Sequence, residues 1–170
     1  MPSAEPIGTG TETDRINLKR ILIPIDFSDQ SKNALEYSIS VARQFNAELI
    51  LVYVVEPAVY PTDFGFGRGG ISALESDMRK GGKIELEKLI ESKAKGKVIA
   101  RALVKTGRPF REIIKTADKE EVDLIIIPTH GHTGMENILF GSTAESVIRH
   151  ANCPVLTWRA SYGKAEKGRR

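Results

Sequence analysis

Leu124-Ile125-Ile126-Ile127-Pro128-Thr129-His130-Gly131, nine further residues, then Gly141-Ser142-Thr143-Ala144-Glu145 is the stretch whose reading decides the fold. The unbroken aliphatic run reads as a strand buried on both faces, as in parallel sheets. It empties into a glycine-containing loop. A segment follows, Ser142 to Ala151, with Ala144, Val147, Ile148 and Ala151 at helical spacing. Strand, glycine loop and helix N-terminus together form a place to hold an anion. Glycine lets the backbone approach phosphate oxygens, and the free N–H groups of the first turn point at the charge.

Outward from this stretch, the same alternation recurs. Apolar runs at Arg20–Ile25, Glu48–Val55, Lys97–Val104, Asp123–Ile127 and Pro154–Trp158 are separated by segments of helical period. Ala34, Leu35, Ser38, Val41, Ala42 and Phe45 make one stripe. Leu74, Met78, Ile84, Leu89 and Ile90 make a longer one, interrupted by Gly81-Gly82. Phe110, Ile113, Ile114 and Ala117 make a third. Alternating strands and helices predict an α/β fold: an open five-stranded parallel sheet with helices on both faces, Rossmann-like in type. Ser28 is placed to cap the first helix. Pro109 sits at the first turn of the third, where its missing N–H costs nothing. Ser142 with Glu145 has the spacing of a capping box.

The 170 residues fit one domain at about 18–159, between a leader at 1–17 and a basic tail at 160–170, both expected to be disordered. The segment 56–71 carries two prolines, four glycines and Tyr60, Phe64 and Phe66, and reads as a flexible loop of the lid or partner-surface kind. The net charge of +3 comes wholly from the last ten residues, Lys164, Lys167, Arg169 and Arg170 against Glu166. A basic surface for specific nucleic-acid binding is therefore not expected. No apolar run approaches the roughly 20 residues of a membrane span, and Met1 to Thr13 lacks the basic start and apolar centre of a secretory signal, so none is expected. With a single cysteine, Cys153, an intrachain disulfide is excluded. These features lead to the expectation of a cytoplasmic protein.

In open α/β sheets, ligands bind beyond the carboxyl ends of the strands where strand order reverses. The usual five-strand order puts the first strand beside the fourth at that crevice. Pro24-Ile25-Asp26-Phe27-Ser28 and the glycine loop, about a hundred residues apart, would then face one pocket.

At this point the chain resembles the universal stress protein family. The resemblance is carried by Ile23-Pro24-Ile25-Asp26-Phe27-Ser28 with Asn33-Ala34-Leu35, by Leu51-Val52-Tyr53-Val54-Val55, and by Thr106-Gly107-Arg108-Pro109. Its strongest block runs from Thr129-His130-Gly131-His132-Thr133-Gly134 through Leu139-Phe140-Gly141-Ser142-Thr143-Ala144-Glu145 to Cys153-Pro154-Val155-Leu156. The resemblance implies strand order 3-2-1-4-5 and a homodimer through the last strand, here Val155, Leu156, Thr157 and Trp158. It also implies an adenine-nucleotide site, with ATP as the expected cofactor, with or without Mg²⁺. ATP-binding members share a loop of the form Gly, two residues, Gly, nine residues, Gly, then Ser or Thr. Gly131, Gly141 and Ser142 match that form, and Pro128 stands where the first glycine would be. If that glycine donates to phosphate, its loss removes a charge-assisted bond worth about 1.5–3 kcal/mol. If it serves only close approach, proline is tolerated.

Residue by residue, the resemblance puts Asp26 near ribose or adenine, Val54 against adenine, and Pro24 and Ile25 along the base. Pro128, His130, Gly131, Gly141, Ser142 and Thr143 fall around the phosphates. Asp26 also has a purely structural reading, as a strand-end carboxylate that organises the adjoining turn. His130 and His132 lack the Cys or carboxylate companions of a metal site, so none is expected. His150 reads as a partner for the C-terminal dipole of its helix, and Cys153 as packing. Arg68 is a candidate to fold over phosphates. No Walker lysine, Gly-x-Ser-x-Gly elbow or His-Glu-x-x-His is present. The function expected is therefore an ATP-binding stress or signalling module with a protein partner yet to be identified. Two alternatives stand beside it, a nucleotide-independent interaction protein and a weak ATPase or autophosphorylating protein.

Overall fold

A computed structural model describes residues 16–56, 68–129 and 140–159, with the side chains of 68–72 apart. The leader up to Arg15, most of the loop 56–71, His130, Gly131, His132 and the basic tail, as well as the side chain of Arg68, lie outside the described residues. The elements in chain order are β1 (Arg20–Pro24), α1 (Asp29–Phe45), β2 (Glu48–Val55), α2 (Arg68–Leu89), β3 (Ala100–Thr106), α3 (Pro109–Lys119), β4 (Leu124–Pro128), α4 (Ser142–His150) and β5 (Val155–Trp158). A π-helical turn, Ile90–Ala94, extends α2. All five strands are parallel, in the order β3-β2-β1-β4-β5.

Strand alternation divides the core into two layers. On one face, Ile21 and Ile23 of β1, Leu49 and Leu51 of β2 and Ile126 of β4 are buried with Ala34, Leu35 and Ile39 of α1 and Leu86 of α2. On the other, Leu22, Ile50, Val52, Ile125 and Ile127 are buried with Ile113 and Ala117 of α3 and Ala144 and Val147 of α4. Both faces of β1, β2 and β4 are covered, which is why these strands read as continuous aliphatic runs.

The local signals explain most element ends. Ser28 is the N-cap of α1, its hydroxyl accepting the Ser31 N–H. Asn46 closes α1 in the left-handed conformation (φ 53°) that Asn tolerates. Pro109 takes the first position of α3. Asp123 stays outside β4 because its carboxylate accepts the N–H groups of Lys19 and Arg20, at 2.7 and 2.8 Å, and ties the start of β1 to β4.

Four expectations change. The third strand begins at Ala100 rather than Lys97, because the Lys97 and Val98 N–H groups turn back to the Ala94 carbonyl around Gly96 (φ 73°). The helix from Arg68 runs straight through Gly81-Gly82. Of the expected stripe, Leu89 and Ile90 pack against the core, but Leu74, Met78 and Ile84 are exposed, and the sheet-facing side takes in Gly82 and Leu86 instead. The reason is steric: the Tyr53 ring occupies the space where Gly82 has no side chain, and a Cβ there would stand 2.3 Å from Cδ1 of Tyr53. The bare position sets which face of α2 meets the sheet. Finally, Ser142 is not the N-cap of α4; Gly141 is, with no side-chain cap. The Gly141 N–H is held by the Thr129 carbonyl at 2.7 Å, and the Gly141 carbonyl accepts the Glu145 N–H at 3.0 Å. The helix therefore starts one residue past the glycine, and Glu145 pairs with Arg149 instead of closing a capping box.

Two predictions follow from this packing. Gly81 has open space at its Cβ position, so Gly81→Ala should raise stability by about 1 kcal/mol through helix propensity alone. Gly82→Ala should lower it by about 1–3 kcal/mol, the cost of displacing the Tyr53 ring; urea titrations of the pair give opposite shifts in midpoint. The Arg101 guanidinium bridges Glu48 and Glu120, both at 2.7 Å, across the β3 edge. The hydrogen bond from Arg101 holds the Glu120 carboxyl below its ordinary range. A depressed carboxylate stabilises the fold above the unfolded-state pKa of about 4.3, and that contribution fades as pH falls through the lower folded value. Stability measured from pH 6 down to pH 3 should therefore fall less steeply in Glu120→Gln than in the wild-type chain.

Candidate functional site

The carboxyl ends of β1, β2 and β4 and the start of α4 enclose a crevice of about 280 Å³, close to the roughly 300 Å³ at which small-molecule sites begin. Pro24, Ile25 and Asp26 form one wall and Val52, Tyr53 and Val54 another. Ile127, Pro128 and Thr129 face them, and Gly141, Ser142, Thr143 and Ala144 complete the rim. Every expected site residue within the described part of the chain, that is all but His130 and Gly131, lines this one crevice.

Asp26 is built into the turn that leaves β1. Its Oδ1 accepts both the Ser28 N–H, at 3.0 Å, and the Ser28 hydroxyl, at 2.5 Å. Ser28 in turn caps α1, so Asp26 organises the turn as its structural reading expects while still facing the crevice. Between the two, Phe27 adopts φ 65°, a conformation that costs a bulky L-residue about 1–3 kcal/mol. Part of that cost is offset by packing: the Phe27 ring lies 4.8 Å, centroid to centroid, from Tyr53. Tyr53 is itself seated against Gly82. A glycine in α2 thus supports the turn that carries Asp26.

The helix N-termini differ in what they leave open. At α1 the Ser28 hydroxyl takes up a first-turn N–H. The first position of α3 is Pro109, which has no N–H to offer. Helix α4 begins without a side-chain cap, and its first two residues, Ser142 and Thr143, line the crevice. First-turn N–H groups have no intrahelical acceptor, so at α4 they are donors for a ligand. Gly141 is not among them, since its N–H is engaged by Thr129. Its role is to fix the helix start against the end of β4. Thr129 also donates its own N–H to the Trp158 carbonyl at 2.9 Å, which binds β4, β5 and α4 into one corner.

The remaining candidates stand apart from the crevice. His150 Nδ1 lies 2.8 Å from the Ser146 carbonyl in the last turn of α4, with its ring near Phe110. Cys153 is half-buried against the second core layer. Burial, with the negative charge of Asp118 behind it, pushes its thiol above the ordinary value, opposite to the shift of a reactive thiolate. Among the described residues no group of three or more His, Cys, Asp or Glu could hold a metal ion, and no helix is long and apolar enough to cross a membrane. Tyr53, Thr129 and Pro109 line the crevice but were not singled out as site residues. All three sit at strand ends or helix starts on its rim.

A sequence model described as the universal stress protein family matches residues 17–159. A universal stress protein of Methanocaldococcus jannaschii is 38% identical over 139 residues, 81% of this chain and 80% of its own length. Among solved structures, the universal stress protein UspA from Lactobacillus plantarum superposes with a TM-score of 0.76 at 25% identity, covering 85% of this chain and all of that one. A universal stress protein from Archaeoglobus fulgidus in complex with dAMP superposes with a TM-score of 0.56 at 20% identity, covering 84% of this chain and 98% of the other. The chain belongs to the universal stress protein family, with the five-stranded α/β fold of that family.

The geometry at Asp26 separates its folding role from any ligand role. Asp26→Ala removes the acceptor for two Ser28 donors and should cost about 1.5–3 kcal/mol. Asp26→Asn keeps an amide oxygen at that point and should lose clearly less. Thermal unfolding of both variants without ligand reads the difference; equal losses would mean the turn does not depend on this acceptor.

Proposed function

We propose that this chain binds an adenine nucleotide, ATP foremost, in the crevice between β1 and β4, and acts as a nucleotide-responsive module in stress response or signalling. The observation that carries this reading is the uncapped N-terminus of α4, which opens into the same crevice as the Asp26 carboxylate and an apolar wall. Phosphate fits the Ser142 and Thr143 N–H groups and the Ser142 hydroxyl. The apolar lining from Pro24, Ile25 and Val54 fits a base. Asp26 lines the same crevice and is suited to a ribose hydroxyl or an exocyclic amine, both of which donate. The Archaeoglobus relative in complex with dAMP shares the fold alone at 20% identity, so the case for a nucleotide rests on this chain's own crevice.

A homodimer through β5 belongs to the same proposal. β5 is the outer strand of the sheet beyond β4. Val155 and Leu156 are only half-buried within the single chain, and an apolar edge strand left open is an aggregation hazard. Light scattering at micromolar concentration should give twice the chain mass; a monomer there would remove the dimer from the proposal.

The nucleotide is tested first by denaturing freshly purified protein and separating what it releases, then by calorimetric titration with ATP. Ser142→Pro is the informative variant. Proline is tolerated at the first helical position, and Gly141 already has the extended conformation (ψ 155°) that a following proline requires. It deletes one phosphate donor without ending the helix. ATP affinity should fall roughly ten- to a hundredfold, the equivalent of one charge-assisted hydrogen bond, and adenosine affinity should change little. Ser142→Ala keeps the N–H and should retain most of the binding. No released nucleotide, together with no heat and no thermal shift at millimolar ATP, would overturn the nucleotide reading and leave an interaction protein on this fold.

A further inference from the structure

Prolines end both β1 and β4, two interior strands of the sheet, where proline is rare because it cannot donate to a ladder. Their positions are not arbitrary. The Ile25 N–H donates to Val52 of β2, so by strand alternation the backbone polar groups of Pro24 face β4. The Thr129 N–H donates to Trp158 of β5, so those of Pro128 face β1. The two missing N–H groups therefore fall in the same gap. Pairing reflects this: β1 and β2 stay in register to Pro24 with Val52, and β4 and β5 to Pro128 with Trp158, while β1 and β4 pair only at Ile21 with Leu124 and Leu22 with Ile125. Continuing that register, a residue 24 with an N–H would donate to the Ile126 carbonyl, and a residue 128 with an N–H would donate to the Pro24 carbonyl.

We propose that Pro24 and Pro128 together hold the ends of β1 and β4 apart, making Pro128 a positioning residue for the ligand crevice rather than a lost phosphate donor, with the Pro24 carbonyl left as an acceptor for a donor group of the ligand. The part concerning the ligand rests on the nucleotide reading above; the part concerning the ladder does not. An N–H at position 128 points across the gap to β1, away from the α4 N-terminus, so restoring it supplies no phosphate contact. It supplies a bond that closes the crevice. The group that meets the Pro24 carbonyl must be a donor, a hydroxyl or an amine, because Pro128 offers none.

The test is Pro128→Gly and Pro128→Ala, with Pro24→Ala as the variant that acts from the opposite strand. Amide hydrogen exchange by NMR on the ligand-free chains reads the ladder, and calorimetric titration with ATP reads the crevice. The new amide at residue 128 should be protected from exchange, and ATP affinity should fall about two- to tenfold in each variant, the equivalent of one net hydrogen bond that the ligand must break. An unprotected amide at 128, an unchanged affinity, or tighter ATP binding in Pro128→Gly would each overturn the proposal, the last by showing that the glycine N–H reaches phosphate after all. If the wild-type chain takes up no ATP, the nucleotide reading falls by itself. Exchange at residue 128 then decides the present proposal alone, protection supporting it and its absence overturning it.

Discussion

Parallel pairing of β1 with β2 on one side and β4 on the other is the interaction on which the rest of the molecule depends. A parallel strand needs a crossover connection to reach its neighbour, and the crossovers cover both faces of the sheet. The order reverses at β1, and the helices that follow β1 and β4 lie on opposite faces, α1 on one and α4 on the other. Among the described residues, the space between the strand ends is bordered by the helix starts and not crossed by a helix. The crevice is a topological consequence before any side chain lines it.

What makes that space chemically useful is the contrast between its two sides. On the β1 side the polar groups are engaged with one another: Asp26 holds Ser28, and Ser28 holds the first turn of α1. The strained residue of this side, Phe27, is buttressed by an aromatic contact that reaches back to α2. On the β4 side, among the described residues, Thr129 anchors the backbone at Gly141, and the first-turn donors beyond it have no side-chain cap. A preorganised frame next to unspent donors costs little to reorganise when an anion arrives, which is the condition for binding charge well in a partly desolvated site.

The two core layers have different parts in this. The layer beneath α1 and α2 carries the larger set of buried side chains and supports Tyr53 and the Phe27 turn. The layer beneath α3 and α4 sets where α4 starts, through Ala144 and Val147 against Ile125 and Ile127. Disturbing Gly82 therefore reaches the acidic side of the crevice through ring contacts. Disturbing Val147 would reach the donor side through the seating of a nine-residue helix. The stability of each half of the site is tied to a separate part of the core.

Much of this was legible in the residues themselves. Strand runs, the cap at Ser28, the proline at the start of α3 and the glycine just ahead of α4 are signals of short range, and a chain of one dimension displays them in full. Strand order and the meeting of Asp26 with Ser142 followed from fold type together with the family resemblance. Other features depended on contacts between distant segments. Leu89 and Ile90 of the expected stripe do pack on the core, but Gly82 takes the place of Ile84 beside the Tyr53 ring, and a glycine that yields to a ring leaves no mark in hydrophobic periodicity. The cap of α4 moved to Gly141 because a carbonyl at the end of β4 competes for its N–H. The facing of Pro24 and Pro128 required the alternation of three ladders. By itself the sequence determined the elements and the kind of chemistry, since both are written in local residue type. Only the tertiary structure decided which backbone groups are spent on the fold and which remain for a ligand, since that is settled by partners brought together from across the chain.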